Sequence, residues 1–344
     1  MISVFILLCL SVSGTTAVGQ TKIVEIQDAN GNFVQVQLPV QRIVVLTSDA
    51  LEIVCALKAD NLITGVFTGI SREALFEAKL KQKPKVGDWR EVNYELLAEL
   101  KPDIVLCYAR SPGKNLEKKL NPFGIKVIRL NFFKLETLDQ EIKTLGLILG
   151  KAEQAEALIN WHQNRLQFLQ EKLKGIKNPP DIYIEGDSRY HTAGPGSGGD
   201  KMCTLAGGNN IAKNLSIPYP EITCEWILKN NPEVIIKVAT RGSYNIKAKN
   251  IKTDIKSKTR LVALKTIQEE IMVRPAWNHI QAVKQKRVHV ITNEIWAGPR
   301  AVIGASYLAK WFFPEKLKHF NPEEIHKEYI NNFHNIKFQG KYAY

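Results

Sequence analysis

The sequence predicts an α/β protein of two lobes, each with a central, mostly parallel sheet. One long α-helix joins the lobes and a ligand cleft lies between them. Three observations predict this fold: apolar strands alternate with amphipathic helices, one helix-to-strand unit occurs twice, and an uninterrupted helical pattern separates the two occurrences. Alternation of strand and helix is typical of parallel sheets with helices on both faces, and clefts between domains are common ligand sites.

The repeated unit runs from Glu95 to Leu106 and again, with equal length, from Glu225 to Ile236. Each copy begins with a glutamate, continues as a short amphipathic helix and passes through a Pro-acidic turn into an apolar strand. Recurrence of one such unit in both halves of a chain indicates two similar lobes.

The first half alternates strand and helix in chain order. An Asn30-Gly31 turn within alternating residues predicts a hairpin over residues 22–39. An apolar strand follows at 42–46, and Thr47, Ser48 or Asp49 can cap the helix that continues to about residue 57. The remaining predicted elements are a strand at 61–67, a helix at 74–80, a loop at 86–90, the first repeated unit and a strand at 126–130.

A helix over 137–150, with Gly150 as its C-cap, precedes a longer helix over about 152–173. Gly175 and Pro179-Pro180 end the longer helix, which we interpret as a stiff strut between the lobes; an ordinary surface helix is the alternative. The predicted divisions are a signal peptide at 1–20, an N-terminal lobe at 21–150, the linking helix at 151–177 and a C-terminal lobe at 178–344.

The second lobe is predicted to open with a strand at 181–185. A glycine-rich loop at 186–199 and a helix at 201–206 lead to the second repeated unit. A strand at 288–291 and a helix at 301–312, stopped by Pro314, complete the pattern.

Residues 2–10 are apolar and precede small residues at 15–17. This run is too short to span a bilayer and fits a secretory signal peptide, so export is expected. A lipid anchor at Cys9 is the less favoured alternative, because the residue before it is large. Four later cysteines are Cys55, Cys107, Cys203 and Cys224, and no two of them form a CxxC motif. We therefore expect buried free thiols and no zinc site, with a disulfide as the alternative.

The net charge is +13, from 47 basic and 34 acidic residues. Such a balance suits nucleic acid, an anionic membrane or an acidic ligand, although a lysine-rich solvated surface is the favoured explanation. The densest basic stretch, at 247–260, lacks the interleaved aromatic residues of a single-strand-binding surface. We therefore expect no nucleic-acid partner.

The glycine loop at 194–201 does not match a phosphate-binding loop, because Asp200 replaces the required lysine and Met202 follows Lys201. The sequence contains no HExxH, no GxSxG and no defensible acid/base pair of carboxylates. We therefore expect neither catalysis nor a resident cofactor.

Aromatic and cationic residues recur at the predicted carboxyl ends of strands, where open α/β sheets bind ligands. Aromatic faces and arginine forks suit a large planar or anionic ligand such as a metal chelate. A Tyr190–His191 metal-ligand pair is a less favoured reading. The candidate ligand-binding residues are Trp89, Arg90, Tyr108, Arg110, Arg189, Tyr190, His191, Trp277, Trp296 and Arg300.

The chain resembles the solute-binding proteins of ABC importers for iron–siderophore complexes, haem and cobalamin. The resemblance covers nearly everything after the signal segment and rests on the order and spacing of weak patterns. These lie at residues 28–31, 42–46, 86–87, 97–105, 193–197, 205–212, 225–236, 277–278, 282–284 and 288–291.

The resemblance implies that an exported monomer, periplasmic or at the cell surface, captures a metal chelate and delivers it to a permease dimer with its ATPase. It also implies a modest closure motion. Glu95 and Glu225 occupy the positions at which the family presents one glutamate per lobe to permease arginines; complementing a helix N-terminus is the alternative role. The chelate itself stays open between a ferric siderophore, haem and a corrinoid. The competing functional hypothesis is an exported metal-dependent hydrolase that uses His191.

Overall fold

The computed structural model describes residues 22–72, 75–240 and 256–344. Its two parallel four-stranded sheets confirm the predicted α/β class. The predicted signal peptide and the start of the lysine-rich stretch lie outside the described residues.

The N-terminal sheet is all parallel, with strand order β4-β3-β5-β6, and an antiparallel hairpin of β1 and β2 precedes it. Its central strands are short and fully buried, as expected for a sheet with helices on both faces. The strands are β1 (Lys22–Gln27), β2 (Phe33–Leu38), β3 (Ile43–Val45), β4 (Ile63–Val66), β5 (Ile104–Cys107) and β6 (Lys126–Arg129).

The helices of the first half follow the predicted order, with one shift. Residues 74–80 were expected to be helical, but the helix starts only at Glu77, after a 3₁₀ stretch over Thr68–Arg72. Thr47 is the residue that caps the first helix, accepting the Ala50 backbone N–H at 3.4 Å. The helices are α1 (Ser48–Ala56), α2 (Glu77–Leu80), α3 (Tyr94–Leu100), α4 (Asn115–Leu120) and α5 (Leu135–Ile148).

The predicted long helix is present as α6 (Ala152–Leu173), between the last strand of one sheet and the first strand of the other. It packs tightly on α5, because a Cβ at Gly146 would lie 2.4 Å from the Ala155 Cβ. Gly150, at φ +63°, forms the turn between these two helices. The helix therefore connects the lobes while it is anchored to one of them.

The C-terminal sheet is also all parallel, with order β10-β9-β7-β8. Its strands are β7 (Asp181–Glu185), β8 (Asn209–Asn210), β9 (Val234–Ala239) and β10 (Val288–Thr292). Its helices are α7 (Gly198–Leu205), α8 (Cys224–Asn230), α9 (Lys256–Met272), α10 (Gln281–Lys284), α11 (Ala301–Phe312) and α12 (Pro322–Tyr329).

The two repeated units fold alike. Each helix has a side-chain N-cap: Asn93 accepts the Leu96 N–H at 3.0 Å, and Thr223 accepts the Trp226 N–H at 3.2 Å. Each helix ends on a residue in the left-handed region at φ 43°, Lys101 in one and Asn231 in the other. The following strands, β5 and β9, each have a partner strand on both sides.

All four cysteines in the described residues are free, and three of them are buried. Burial raises the pKa of Cys55 and Cys107 to about 12, so both thiols stay protonated at neutral pH. The expectation of free thiols is confirmed, with the difference that Cys224 is half-buried.

The chain after α11 returns to the N-terminal lobe, a feature that the sequence pattern did not predict. We call residues 322–344 the C-terminal clasp. A π-helical turn over Ile330–His334 follows α12 and packs against α1. The His334 ring lies 5.4 Å from the Phe76 ring, and Lys58 Nζ donates to the Phe333 carbonyl at 2.5 Å. The lobes therefore have a second connection besides α6.

A buried histidine in the clasp should make stability pH-dependent. His326 is fully buried, and among the described residues neither ring nitrogen has a hydrogen-bond partner. Burial and then the charges of Arg300 and Arg260 hold its pKa well below the usual value. The unfolded chain therefore binds a proton below about pH 6.5 that the folded chain excludes, so stability falls as the solution is acidified.

We expect His326→Phe to reduce this loss. On going from pH 7 to pH 5, the variant should lose about 2 kcal/mol less of its unfolding free energy than the parent loses. Urea denaturation at both pH values measures this difference. A residual slope should remain, since burial also lowers the pKa of His162 to about 4 and that of His334 to about 3. The exposed His319→Phe is the control. Equal slopes for parent and His326→Phe would contradict the prediction.

Candidate ligand-binding cleft

A cavity of about 590 Å³ lies between the lobes, at the carboxyl ends of both sheets. The N-terminal lobe contributes residues 133–136, which follow β6 and begin α5. The C-terminal lobe contributes the loop after β7, the start of α7 and the segment after β10. This is the edge at which parallel α/β sheets bind ligands, because the loops that follow the strands converge there.

The cavity wall is mostly apolar and aromatic, with rings from both lobes. Phe133 is 42% exposed and Tyr219 is 67% exposed, although both are large apolar side chains. Trp296 stands beside Gly199, where a Cβ would lie 3.1 Å from the indole. Exposed aromatic surface facing a cavity indicates a ligand that covers it.

An ion pair crosses the cavity rim. Lys201, on α7, donates to Glu136, on α5, and both side chains are about half exposed. The hydrogen bond from Lys201 lowers the pKa of the Glu136 carboxyl below its usual value. Exposed pairs of this kind contribute at most about 1 kcal/mol, so the pair can open without a large cost when a ligand enters.

Some of the predicted ligand-binding residues meet at this cavity. His191 and Trp296 line it, and the Tyr108 ring packs edge-on against Phe133 at 5.6 Å. The Tyr108 hydroxyl donates to Asp49 at 3.0 Å, which fixes the ring behind Phe133. Arg189 belongs to the same loop as His191 and is exposed.

Other predicted residues lie elsewhere. Tyr190 follows Arg189 in the chain, but its ring packs against Trp277 at 6.4 Å and not into the cavity. Trp89 and Arg90 form an exposed cation–π pair at 4.5 Å before α3, and Arg90 lines a separate surface depression there. Arg110 is exposed and does not line the cavity.

Two predicted ligand residues are buried, which corrects their assignment. Trp277 is fully buried against Tyr183, because it lies in the turn after α9 and fills the core of its lobe. Arg300 is 4% exposed and binds Glu52 of the other lobe, with Nη2 donating to Oε2 at 3.0 Å. Neither side chain reaches the cavity.

Sequence reasoning missed several cavity residues. Phe133 lies shortly after β6, so the rule that selected the strand-end residues could have found it. Tyr219 had no local signal, since it lies in an irregular loop far from any strand end. Outside the cavity, the buried partner of Arg300 was also missed: Glu52 is a charged residue inside a helix whose neighbours are all buried.

The described residues contain no group of three or more histidine, cysteine or acidic side chains that could hold a metal ion. The Tyr190–His191 pair finds no support as a metal-binding unit, since the Tyr190 hydroxyl accepts from Arg189 at 2.8 Å. Within the described part of the chain, every helix is too short or too polar to cross a membrane.

Comparison with known proteins identifies the family. The periplasmic binding protein family profile matches residues 43–295. The ABC transporter substrate-binding lipoprotein YvrC of Bacillus subtilis is 27% identical over 304 residues, covering 86% of this chain and 87% of YvrC. A vitamin B12-binding protein of Photorhabdus laumondii is 24% identical over 275 residues, and the alignment covers 78% of this chain and 86% of that protein.

The fold is similar to that of a solved structure, the TroA-like periplasmic binding protein FepB of Veillonella parvula. The TM-score is 0.78 at 23% identity, over 93% of this chain and 99% of that one. Because the family profile spans most of both lobes and the cleft between them, this chain belongs to the periplasmic binding protein family, the solute-binding proteins of ABC transporters.

Proposed function

We propose that the protein captures a metal chelate in the interlobe cavity, outside the cytoplasm, and delivers it to the permease of an ABC importer. The observation that carries this proposal is the aromatic wall that both lobes present to one cavity. A planar ligand between rings of two lobes is recognised only when the lobes are together, so ligand capture and lobe closure are coupled. In this proposal the chelate is cargo, not a cofactor.

A corrinoid is the first candidate ligand, because a relative that aligns over 78% of this chain is named as a vitamin B12-binding protein. Haem and ferric siderophores share the chemistry that the cavity suits, a metal held in a large organic chelate. The cavity supports a metal chelate as the class of ligand, and a binding screen is needed to identify which chelate binds.

Delivery requires a surface that the permease can engage. Glu95 and Glu225 are exposed, and each lies in the first turn of its helix, α3 in one lobe and α8 in the other. Hydrogen bonds from its own backbone N–H and from Thr223 hold the Glu225 pKa below the usual value, so this carboxylate is charged at neutral pH. One acidic side chain on each similar unit suits a partner with two-fold symmetry.

A ligand screen tests the proposal. The mature protein is mixed with cyanocobalamin, haemin and ferrichrome, and the visible spectrum and melting temperature are recorded. At 100 times the dissociation constant, a true ligand should stabilise the fold by about 2.7 kcal/mol. Absence of binding to all three would overturn the assignment to metal chelates.

Two tryptophans provide a matched pair of variants. Trp296→Ala, which removes a ring from the cavity wall, should raise the dissociation constant of the chelate at least tenfold. The dissociation constant is measured by titration followed through the visible absorbance of the chelate, which does not depend on tryptophan fluorescence. Trp89→Ala removes an exposed indole outside the cavity and should leave the dissociation constant unchanged. Equal effects of the two variants would place the ligand elsewhere.

The alternative of an exported hydrolase stays a hypothesis without a supporting contact. His191 lines the cavity, and its Nδ1 lies 3.3 Å from the Arg189 carbonyl, but no described carboxylate bonds to the ring. Such a carboxylate commonly orients a catalytic histidine.

A further inference from the structure

A buried charge cluster lies beneath the loop that forms one wall of the cavity. Glu185, at the end of β7, is completely buried. Arg274 binds it with two hydrogen bonds of 2.7 and 2.8 Å, and Lys237 Nζ donates to it at 3.0 Å. Burial alone would raise the Glu185 pKa, but the hydrogen bonds of Arg274 and the charge of Lys237 lower it, so the carboxyl is ionised.

The second cation of this cluster is directed at the loop. Arg274 already pairs both carboxylate oxygens of Glu185, so the charge of Lys237 is surplus to the pair. Lys237 uses its other donors on the carbonyls of Gly186, at 2.5 Å, and Asp187, at 2.8 Å. It is 6% exposed, and it contacts main chain that lines the cavity without lining the cavity itself.

The loop over 186–192 holds a conformation that needs such support. Tyr190 lies in the left-handed region at φ 65°, which is unfavourable for an aromatic residue. Its N–H donates to Glu185 Oε2 at 3.1 Å. The loop is closed by the Gly186 N–H, which donates to the His191 carbonyl at 2.8 Å. The Glu185 carboxylate therefore accepts hydrogen bonds both from Lys237 and from the backbone of the strained Tyr190.

We propose that Lys237 is a positioning residue: with Glu185 and Arg274 it holds loop 186–192 in the shape that binds the ligand, without touching the ligand. The proposal rests on the proposed function for its effect on affinity. Five residues of this loop line the cavity, namely Gly186, Asp187, Ser188, His191 and Thr192. If loss of the lysine leaves the loop correctly shaped one tenth of the time, the dissociation constant rises tenfold.

Lys237→Met is the informative variant, because Glu185 keeps its two bonds to Arg274 while two loop carbonyls lose their charged donor. Without ligand, amide exchange of peptides covering 186–192 should be at least tenfold faster than in the parent. The dissociation constant of whichever of cyanocobalamin, haemin or ferrichrome binds the parent should rise about tenfold. Lys237→Arg, which keeps charge and donors, should restore both values.

Arg287→Met is the matched control. Arg287 belongs to the same lobe and also donates to two main-chain carbonyls, those of Trp311 at 3.1 Å and Phe312 at 3.0 Å. These lie at the end of α11 and away from the cavity. This variant should change neither loop exchange nor affinity.

If Lys237→Met does not fold, Lys237→Gln replaces it, since its shorter, neutral side chain removes the charged donor of both loop carbonyls while leaving a polar group at the buried site. Unchanged exchange in the loop of the folded variant would overturn the proposal, as would faster exchange with an unchanged dissociation constant. Failure of the parent to bind any chelate would count against the proposed function alone, because the exchange measurement needs no ligand.

Discussion

Replacement of Arg300 by methionine should destabilise the protein by about 3–5 kcal/mol, the cost of removing one member of a buried ion pair. Arg300 Nε lies 2.9 Å from Glu52 Oε1, and the Tyr329 hydroxyl donates to that same oxygen at 2.9 Å. Burial opposes the charge on Arg300, but the attraction of Glu52 outweighs it and raises the Arg300 pKa. The three residues come from α1, the segment before α11, and α12, so their network ties the two lobes together.

Urea denaturation of single and double variants measures this effect. Glu52→Leu combined with Arg300→Met should recover much of the loss, because an apolar pair leaves no buried charge. Lys265→Met, which removes an exposed pair with Glu269, should stay within about 0.5 kcal/mol of the parent. A loss no larger for Arg300→Met than for Lys265→Met would show that the network does not hold the lobes.

Reversing the charge of both repeated glutamates, by Glu95→Arg with Glu225→Arg, should reduce chelate uptake to that of cells without the protein. The introduced arginines would repel the permease arginines that the two glutamates are proposed to attract. The dissociation constant of the chelate should not change, since both side chains are exposed and neither lines the cavity. Uptake of labelled chelate by cells that carry the cognate permease, with binding measured on purified protein, tests both statements.

The control reverses two glutamates that are equally exposed. Glu99 lies one turn further along α3, and Glu153 lies in the first turn of α6. Glu99→Arg with Glu153→Arg makes the same change in net charge, so a general effect of charge would lower uptake in both double variants. Normal uptake by the Glu95 and Glu225 double variant would exclude these residues from docking.

Much of the fold could be predicted because its signals are local. Strand-helix alternation, the cap at Thr47 and the glycine and proline stops of α6 each depend on a few neighbouring residues. The C-terminal clasp could not be predicted in this way, because it returns to the α1 region through contacts between distant residues, such as Lys58 and Phe333, which are 275 positions apart.

The candidate site was predicted in part for the same reason. His191 lies in the loop after β7 and Trp296 shortly after β10, and both line the cavity, as the strand-end rule predicts. That rule also selected Trp277 and Arg300, which are buried, because residue type does not distinguish a ring that faces a cavity from one that fills a core. The partner of Arg300 is Glu52, which lies 248 residues away.

The sequence by itself determined the α/β class, the two similar lobes, the long linking helix and the position of Glu95 and Glu225 at matching helix starts. These features follow from periodicity, capping and repetition, which are written in short stretches of chain. Only the tertiary structure decided which aromatic residues face one another across the cleft, which charges are paired in the interior and how the clasp joins the lobes. These three features depend on packing between segments that are distant in the sequence. The free energy of burying a charge or a ring depends on its neighbours in space, which the local sequence does not specify.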